Sequence, residues 1–484
     1  MLKQSRRAFL QQSLNAAAAC SILPRMARAD ANSQIRMATV GLNGRGKSHI
    51  EGFNAQLVAL CDCDSNVLGK TTEAFQKQYG RKLDQISDFR RLLDRNDIDA
   101  ISIATPNHLH SYIAILAAQA GKDVYCEKPI SHGVWEGRQL VNASERYKRI
   151  VQCGTQSRSN KSMQEAVEYV HSGKLGRILY VIGTCYKPRP SIGKLDEPLV
   201  IPKEVDYDLW CGPAAKVDLY RPKLHYDWHW DYNTGNGDMG NQGIHQMDIA
   251  RWFLGVSELS PRIISFGGRL GYGDAGNTAN TQVVLHDYAK APLIFETRGL
   301  PKSKEAQKDR DSWERGMDTY RGSQVGVVVQ CEQGSVLSTA KYDLTQAFGP
   351  DGEEIKSWHG AGNHFANFLD AVRSRKRSDL HADVLDGHLS SALCHTGNLS
   401  HQLGEPHPAD DVLQSVAKNE RLQDSLERMF AHLRANDVNI DKPVIMVGAD
   451  LTMDPASERF TNNAAANDLL RREDRKPFVT PEIS

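Results

Sequence analysis

The sequence predicts an α/β protein, with a doubly wound parallel sheet in its N-terminal half and a second α/β unit on a separate sheet. Three observations predict it. Apolar strand patterns at Ile35–Val40, Leu57–Leu60, Ala100–Ala104, Val124–Cys126 and Ile150–Cys153 alternate with helical patterns at 65–79, 89–94, 108–120 and 133–147. The first strand runs into a glycine-rich turn, Gly41-Leu42-Asn43-Gly44-Arg45-Gly46. Beyond a crossover helix ending at Ser172-Gly173, strand patterns return at Arg177–Tyr186, Arg262–Phe266, Thr281–Leu285, Leu293–Thr297 and Gly326–Gln330. At 484 residues, the chain is long enough for two separate cores.

The glycine-rich turn lets backbone approach a pyrophosphate at the N-terminus of the following helix. Gly41 and Gly46 keep the register of such a turn, but Asn43 occupies its second glycine. Asparagine tolerates positive φ, and Gly44 can take over the close approach. Asp62 ends the second strand, 21 residues after Gly41. A carboxylate there accepts both ribose hydroxyls and repels a 2′-phosphate, so NAD is favoured over NADP. Read alone, Asp62 could also cap the next helix, although Asp64 is better placed for that. Thr105-Pro106-Asn107 ends one strand in a turn, and Glu127-Lys128-Pro129 ends another, because proline cannot donate to a sheet ladder. Lys128 then projects from the carboxyl edge of the sheet, where open α/β sheets bind ligands. By itself it reads equally well as a surface lysine beside a turn.

A long insertion, 187–236, carries few regular signals and reads as loops over the cleft. It ends in the densest aromatic cluster of the chain, His225 to Tyr232. Flat aromatic faces beside imidazoles and carboxylates suit a sugar, which assigns His225, Tyr226, Trp228 and Trp230 to substrate. The alternative is a rigid loop docking on its own domain. His225 and His229 lack a glutamate in helical register, and no metal is assigned. The following turn, with Asp238, feeds a helix on which Asn241, His245 and Asp248 share a face.

These residues together, with Leu60-Cys61-Asp62, Thr105 to His108 and Gly240 to Asp248, resemble the glucose–fructose oxidoreductase / inositol dehydrogenase (Gfo/Idh/MocA) family, from about Ile35 to Gly404. The resemblance implies a nicotinamide-binding Rossmann domain followed by a domain with an open, mainly antiparallel sheet. It implies a catalytic His245, taking a hydroxyl proton while hydride leaves the same carbon, and a Lys128 that offsets negative charge on the substrate oxygen. Gly41, Asn43, Gly44, Arg45, Gly46, Asp62, Thr105, Asn107, His110, Glu127, Lys128 and Gln156 fall to the cofactor, and Arg158 to the substrate. His110 could instead be a helix N-terminal residue with no role. Family dehydrogenases commonly carry aspartate where Asn241 stands. An amide cannot act as a base, so Asp238, one turn earlier, is a partial substitute.

Hydrophobic residues make up 40% and charged residues 24%, ordinary for a soluble protein. No basic stripe suggests nucleic acid. Ser5-Arg6-Arg7-Ala8-Phe9-Leu10, an uncharged run from Leu14 to Pro24 and Ala27-Arg28-Ala29 form a twin-arginine export pattern. That segment holds five basic residues and no acid, so the remainder carries a formal charge of −5. The nine cysteines are scattered, without zinc spacing or disulfide framework. The expected division is a signal at 1–29, a Rossmann domain at 30–156, a substrate domain at 157–409, and a partly helical tail at 410–484 without legible chemistry. The expected protein is periplasmic, without stable membrane insertion, homo-oligomeric, and acts on a sugar, polyol or glycoside. Since the periplasm offers no nicotinamide pool, the cofactor must be held tightly and recycled. Recycling permits a coupled oxidation and reduction, or a transient oxidation that enables elimination or glycoside cleavage. A non-catalytic sugar-binding protein on the same fold is the rival from another class.

Overall fold

The computed structural model describes residues 34–484, so the export pattern lies outside the described residues. The first half runs β1 (Met37–Val40), α1 (Gly46–Gly52), β2 (Leu57–Cys61), α2 (Ser65–Tyr79), β3 (Asp84–Ile86), α3 (Arg90–Leu93), β4 (Ala100–Ile103), α4 (His110–Gln119), β5 (Asp123–Cys126), α5 (Val134–Arg146) and β6 (Val151–Cys153). Its six strands pair in the order β3-β2-β1-β4-β5-β6, all parallel. This is the doubly wound sheet that the strand–helix alternation demands. Asp64 caps α2, accepting from Asn66 N at 2.9 Å and Val67 N at 3.1 Å, which leaves Asp62 free of that duty.

The second half continues with α6 (Lys161–His171), β7 (Ile178–Tyr186), α7 (Tyr207–Cys211), a π-helical turn at Met239–Gly243, α8 (Ile244–Leu254), β8 (Arg262–Gly268), β9 (Thr281–His286) and β10 (Leu293–Arg298). Four further strands follow, β11 (Val325–Cys331), β12 (Gly334–Thr339), β13 (Leu344–Phe348) and β14 (Glu354–His359), then α9 (His364–Ser374) and α10 (Val384–Gln402). The strands β12 to β14 escape the sequence pattern because they form short hairpins whose edge, β14, is exposed along most of its length. Only β7 and β10 pair in parallel; every other ladder of this twelve-stranded sheet is antiparallel.

The residues after 404 are built into both halves. β15 (Glu405–His407) and β16 (Ile445–Val447) extend the sheet from β8. β17 (Leu451–Asp454) also pairs with β8 and, on its other side, with β18 (Arg459–Phe460). Helices α11 (Ala409–Val416) and α12 (Glu420–Ala435) bury Val412, Leu426 and Phe430 against Tyr180, Phe266 and Ile294. They cover the far face of the central strands; α6, α8 and α10 cover the near face. After α13 (Ala464–Asp468), the chain returns to the Rossmann half and places Phe478 and Ile483 in its core. The amphipathic pattern of α12 shows only that a helix forms there, since the face it covers lies more than 100 residues away in sequence.

Helix α10 joins the halves: Ser391 Oγ accepts from Ile130 N at 3.0 Å, and His395 lies 3.1 Å from Ser131 Oγ. The lysine and proline that end β5 are therefore braced from the second half. Among the described residues, no helix is long and apolar enough to cross a membrane.

Candidate active site

β1 ends at Gly41, whose φ is +84°. A Cβ there would lie 2.7 Å from the backbone of Ala104 and Thr105, so only glycine lets β1 and β4 close together at this edge. Gly46 opens α1, and a Cβ on it would stand 2.1 Å from the Gly41 carbonyl. Between them Asn43 is exposed, and its Oδ1 accepts from Gly44 N at 3.0 Å. Gly44 takes the left-handed conformation, at φ +59°, with open space around it. The asparagine thus supports the turn without filling it. The Asp62 carboxylate accepts from Leu42 N at 2.9 Å and Asp64 N at 3.0 Å. Burial raises its pKa against the effect of those two N–H groups.

Gly41, Gly44, Asp62, Thr105, Asn107 and Lys128 are among the residues that line a cavity of about 350 Å³. A bare glycine turn at a helix N-terminus with a carboxylate at the end of the next strand fits a dinucleotide. These residues would hold its pyrophosphate and ribose. His110 also lines the cavity, but its ring nitrogens stand 2.6 Å from the Pro129 carbonyl and 2.7 Å from the Thr105 carbonyl. It braces the two strand-end turns against each other. Asn107 donates to Asn236 Oδ1 at 2.9 Å, tying its turn to the second half.

Glu127 gathers the groups at the end of β5. It accepts from Arg45 Nε at 2.8 Å and Gln156 Nε2 at 3.1 Å, and lies 3.2 Å from His49 Nε2. Burial acts to raise this carboxyl, but the His49 contact and the Arg45 charge outweigh it and hold the group well below the usual range. Gln156 is thereby a partner of Glu127 and of the Tyr125 hydroxyl. Lys128 Nζ donates to the Asn241 main-chain carbonyl at 2.6 Å. Burial lowers the Lys128 pKa, opposed by Glu127.

Asn241 lies in the π-helical turn, and His245 follows on α8. Such turns recur at functional sites because they shift the phase of the side chains beyond them. His245 is half-buried, its ring 6.0 Å from that of Tyr342, and its Nδ1 is buried without a partner. Burial, then the Lys128 charge, push it down to about 3. The imidazole is held neutral within reach of the Lys128 charge, but its partnerless Nδ1 is enclosed and His245 is not among the residues that line the cavity; Asn241, four residues earlier, is.

Four readings made from sequence need correction. Arg158 lies outside the cleft: it is buried, its Nε donates to both Asp248 oxygens at 2.9 Å, and its guanidinium stacks on Trp252. Asp248, turned inward by that pair, does not share the exposed side of His245. Asp238 is fully enclosed, and Arg189 holds its carboxylate at 2.7 and 3.0 Å, leaving no free oxygen edge for a base. Trp230 is buried under the same Arg189 guanidinium, 5.3 Å from its ring centre, and does not line the cavity. His225, Tyr226, Trp228 and His229 do line it, with His225 Nε2 3.1 Å from Asp64 Oδ2.

Sequence reasoning missed the roof of the cleft. Asp206 caps α7, accepting from Asp208 N and Leu209 N, and the helix delivers Leu209 and Trp210 to the cavity. The Asp-Tyr-Asp-Leu-Trp stretch carried that cap signal inside an insertion read as loops. Arg189 had no signal, since its partner lies 49 residues away.

Two family models match the chain: the Gfo/Idh/MocA oxidoreductase family, NAD-binding Rossmann fold, over residues 35–155, and the C-terminal α/β domain of that family over 170–295. Together they span just over half of it. A levoglucosan dehydrogenase from Pseudarthrobacter phenanthrenivorans is 29% identical over 170 residues, 35% of this chain and 36% of the relative. An inositol 2-dehydrogenase from Salmonella paratyphi B is 27% identical over 158 residues, 31% and 46% of the two chains. An alpha-N-acetylgalactosaminidase from Shewanella oneidensis is 30% identical over 156 residues, 30% and 34%. The matched region is thus a third to a half of the length of these relatives. A solved levoglucosan dehydrogenase, in complex with NADH and levoglucosan, superposes with a TM-score of 0.53 at 19% identity, covering 79% of this chain and 97% of that one. At that identity the likeness concerns the fold.

Proposed function

The chain belongs to the Gfo/Idh/MocA oxidoreductase family, and from that premise we propose that it oxidises a carbohydrate or polyol with NAD that it retains and recycles. One observation carries the reading. Lys128 reaches from the sheet edge to the Asn241 carbonyl, joining the glycine-rich cradle to the helix of the neutral His245. NAD, when bound, supplies the hydride acceptor. His245 takes the hydroxyl proton of the substrate, and the Lys128 ammonium stabilises the charge that develops on the same oxygen. The aromatic side chains Tyr226 and Trp228 offer faces for the C–H side of a sugar ring. Similarity to dehydrogenases of levoglucosan and inositol supports this substrate class.

A second reading is redox-neutral cleavage of a glycoside through transient oxidation. The roof over the cleft, which suits a cofactor that stays in place, and the similarity to an alpha-N-acetylgalactosaminidase favour it. The first experiment is a mass spectrum of small molecules released on denaturing the purified protein. NAD at near one equivalent supports retention; no dinucleotide overturns it. Sugar oxidised in step with a second acceptor supports the dehydrogenase, and aglycone release without net NADH supports cleavage. Export rests on Arg6-Arg7 and Ala27-Arg28-Ala29; replacing both arginines by lysine should strand the protein in the cytoplasm.

A further inference from the structure

We infer that the arm formed by residues 471–484 latches the roof of the dinucleotide cleft, with Arg475 and Arg472 as positioning residues that slow release of the cofactor. The inference rests on the dinucleotide reading above. It begins from α7, a five-residue helix that brings Leu209 and Trp210 onto the cavity. A helix this short has no stability of its own, because its few hydrogen bonds do not offset the cost of nucleation. It must be held by its surroundings.

On one side the roof is stitched to the Rossmann edge. Ser65 N donates to the Glu204 carbonyl at 3.0 Å, and Asp206 N to the Cys63 carbonyl at 2.9 Å. On the other side the arm holds it. Arg475 donates through Nη1 to Asp208 Oδ1 at 2.8 Å, through Nη2 to the Asp208 carbonyl at 2.8 Å, and through Nε to the Gly212 carbonyl at 3.2 Å. Its backbone N–H donates to the Pro213 carbonyl at 3.0 Å. A guanidinium fork thus binds carbonyls at the C-terminal end of α7, where a cation is favoured by the exposed C=O groups. Arg472 Nη2 donates to the His108 carbonyl at 2.7 Å, and the His108 ring lies 2.8 Å from the Trp210 carbonyl. Arg472 thus ties the arm to the cleft wall at His108, and His108 ties the wall to the roof.

The arm is anchored elsewhere. Phe478 is buried in the Rossmann core, its ring 6.3 Å from that of Tyr112, and Ile483 N donates to Gln139 Oε1 at 2.7 Å. Lifting Trp210 off the cavity must break the Arg475 contacts while the rest of the arm stays in place. The roof contacts are local to Arg475, whose guanidinium also lies over the buried Phe478 ring, 4.8 Å from its centre.

The test uses the full chain loaded with NADH and chased with excess NAD, following nicotinamide fluorescence in a stopped-flow instrument. Arg475→Ala should raise the dissociation rate roughly tenfold or more, with a melting temperature close to wild type. Arg475→Lys, which keeps one donor, should recover part of the loss. Asp208→Asn should add little to Arg475→Ala, because the two share one contact. Arg471→Ala is the control: this residue stacks on Trp135 and touches no roof residue, so its rate should equal that of wild type. Should Arg475→Ala fail to fold, Asp208→Asn alone must still quicken release. Unchanged release in a folded Arg475→Ala overturns the latch and leaves the dinucleotide reading standing. Failure of the wild type to take up NADH overturns that reading, and the latch with it.

Discussion

Lys128 Nζ meets the main-chain carbonyl of Asn241, not its side chain, at 2.6 Å. The contact is therefore indifferent to whether residue 241 is an acid or an amide. Exchanging aspartate for asparagine there removes a negative charge from the neighbourhood of His245 and leaves the anchor of Lys128 intact. The cost falls on the imidazolium, which loses a supporting charge once it has taken a proton.

The first prediction concerns that pair. His245→Ala removes the base and Lys128→Ala the charge stabilisation. Each should lower the single-turnover rate of NADH appearance by about 10²–10⁴, the usual worth of a positioned proton-transfer group. Bound NAD should be retained in both. Because burial and Lys128 hold His245 down to about 3, the base form persists through the mildly acidic range. The rate should stay level as pH falls from 8 to about 5, and an acid limb near 6.5 would contradict this. Wild-type rates in both variants would remove the assignment.

Asp62 should choose between the dinucleotides. Asp62→Ala loses the ribose acceptor, and hydrogen bonds to a charged group are worth about 1.5–3 kcal/mol, so NAD affinity should fall roughly tenfold or more. NADP, freed of repulsion at the 2′-phosphate, should weaken less or gain. Titration of cofactor-stripped protein measures both, and equal losses would take Asp62 out of the ribose site. Leu42 N and Asp64 N each bind a different oxygen of Asp62, so Asp62→Asn can keep only one of these turn contacts and turns its NH2 toward the other donor.

The two later glycines of the turn should answer differently to a methyl group. Gly46→Ala drives a Cβ to 2.1 Å from the Gly41 carbonyl, so the turn must open and dinucleotide binding should be lost. Gly44→Ala meets no atom and pays only the left-handed conformation, about 1 kcal/mol. Similar affinities in the two variants would show that the cradle does not bind through this turn.

Acid should loosen the grip of the 451–460 hairpin on the first half. Glu458 accepts from Arg138 Nη2 at 2.5 Å and lies 2.9 Å from His388 Nε2. Burial acts to raise its pKa, but His388 and Arg138 outweigh that and bring it down to about 2. A depressed carboxyl contributes stability above its unfolded value, near 4.5, and loses it as pH falls toward the folded value. His388, lowered by burial, adds loss of the same sign from about pH 6.5 downward. Glu458→Gln should cost on the order of 2 kcal/mol at neutral pH and almost nothing near pH 2. Thermal melts across that range read the difference; a gap that does not close on acidification would place the stability of this hairpin elsewhere.

The sequence by itself determined the local chemistry of the site. A strand ending in Gly41, a carboxylate at Asp62, a strand stopped by Pro129 and a helix carrying His245 are each written in a few adjacent residues. Backbone sterics and periodicity act over that range, so they can be read without the fold. Tertiary structure alone decided who partners whom. Nothing near Arg158 or Asp238 in the chain announces Asp248 or Arg189, and a buried charge takes whichever opposite charge the packing brings to it. The same holds for the residues after 410. Their helical pattern was visible, but the sheet face that α12 covers, and the roof helix that Arg475 holds, lie more than 100 residues from them in sequence. Hydrophobic burial is non-directional: it tells a segment to find an apolar surface, and only the assembled fold says which one.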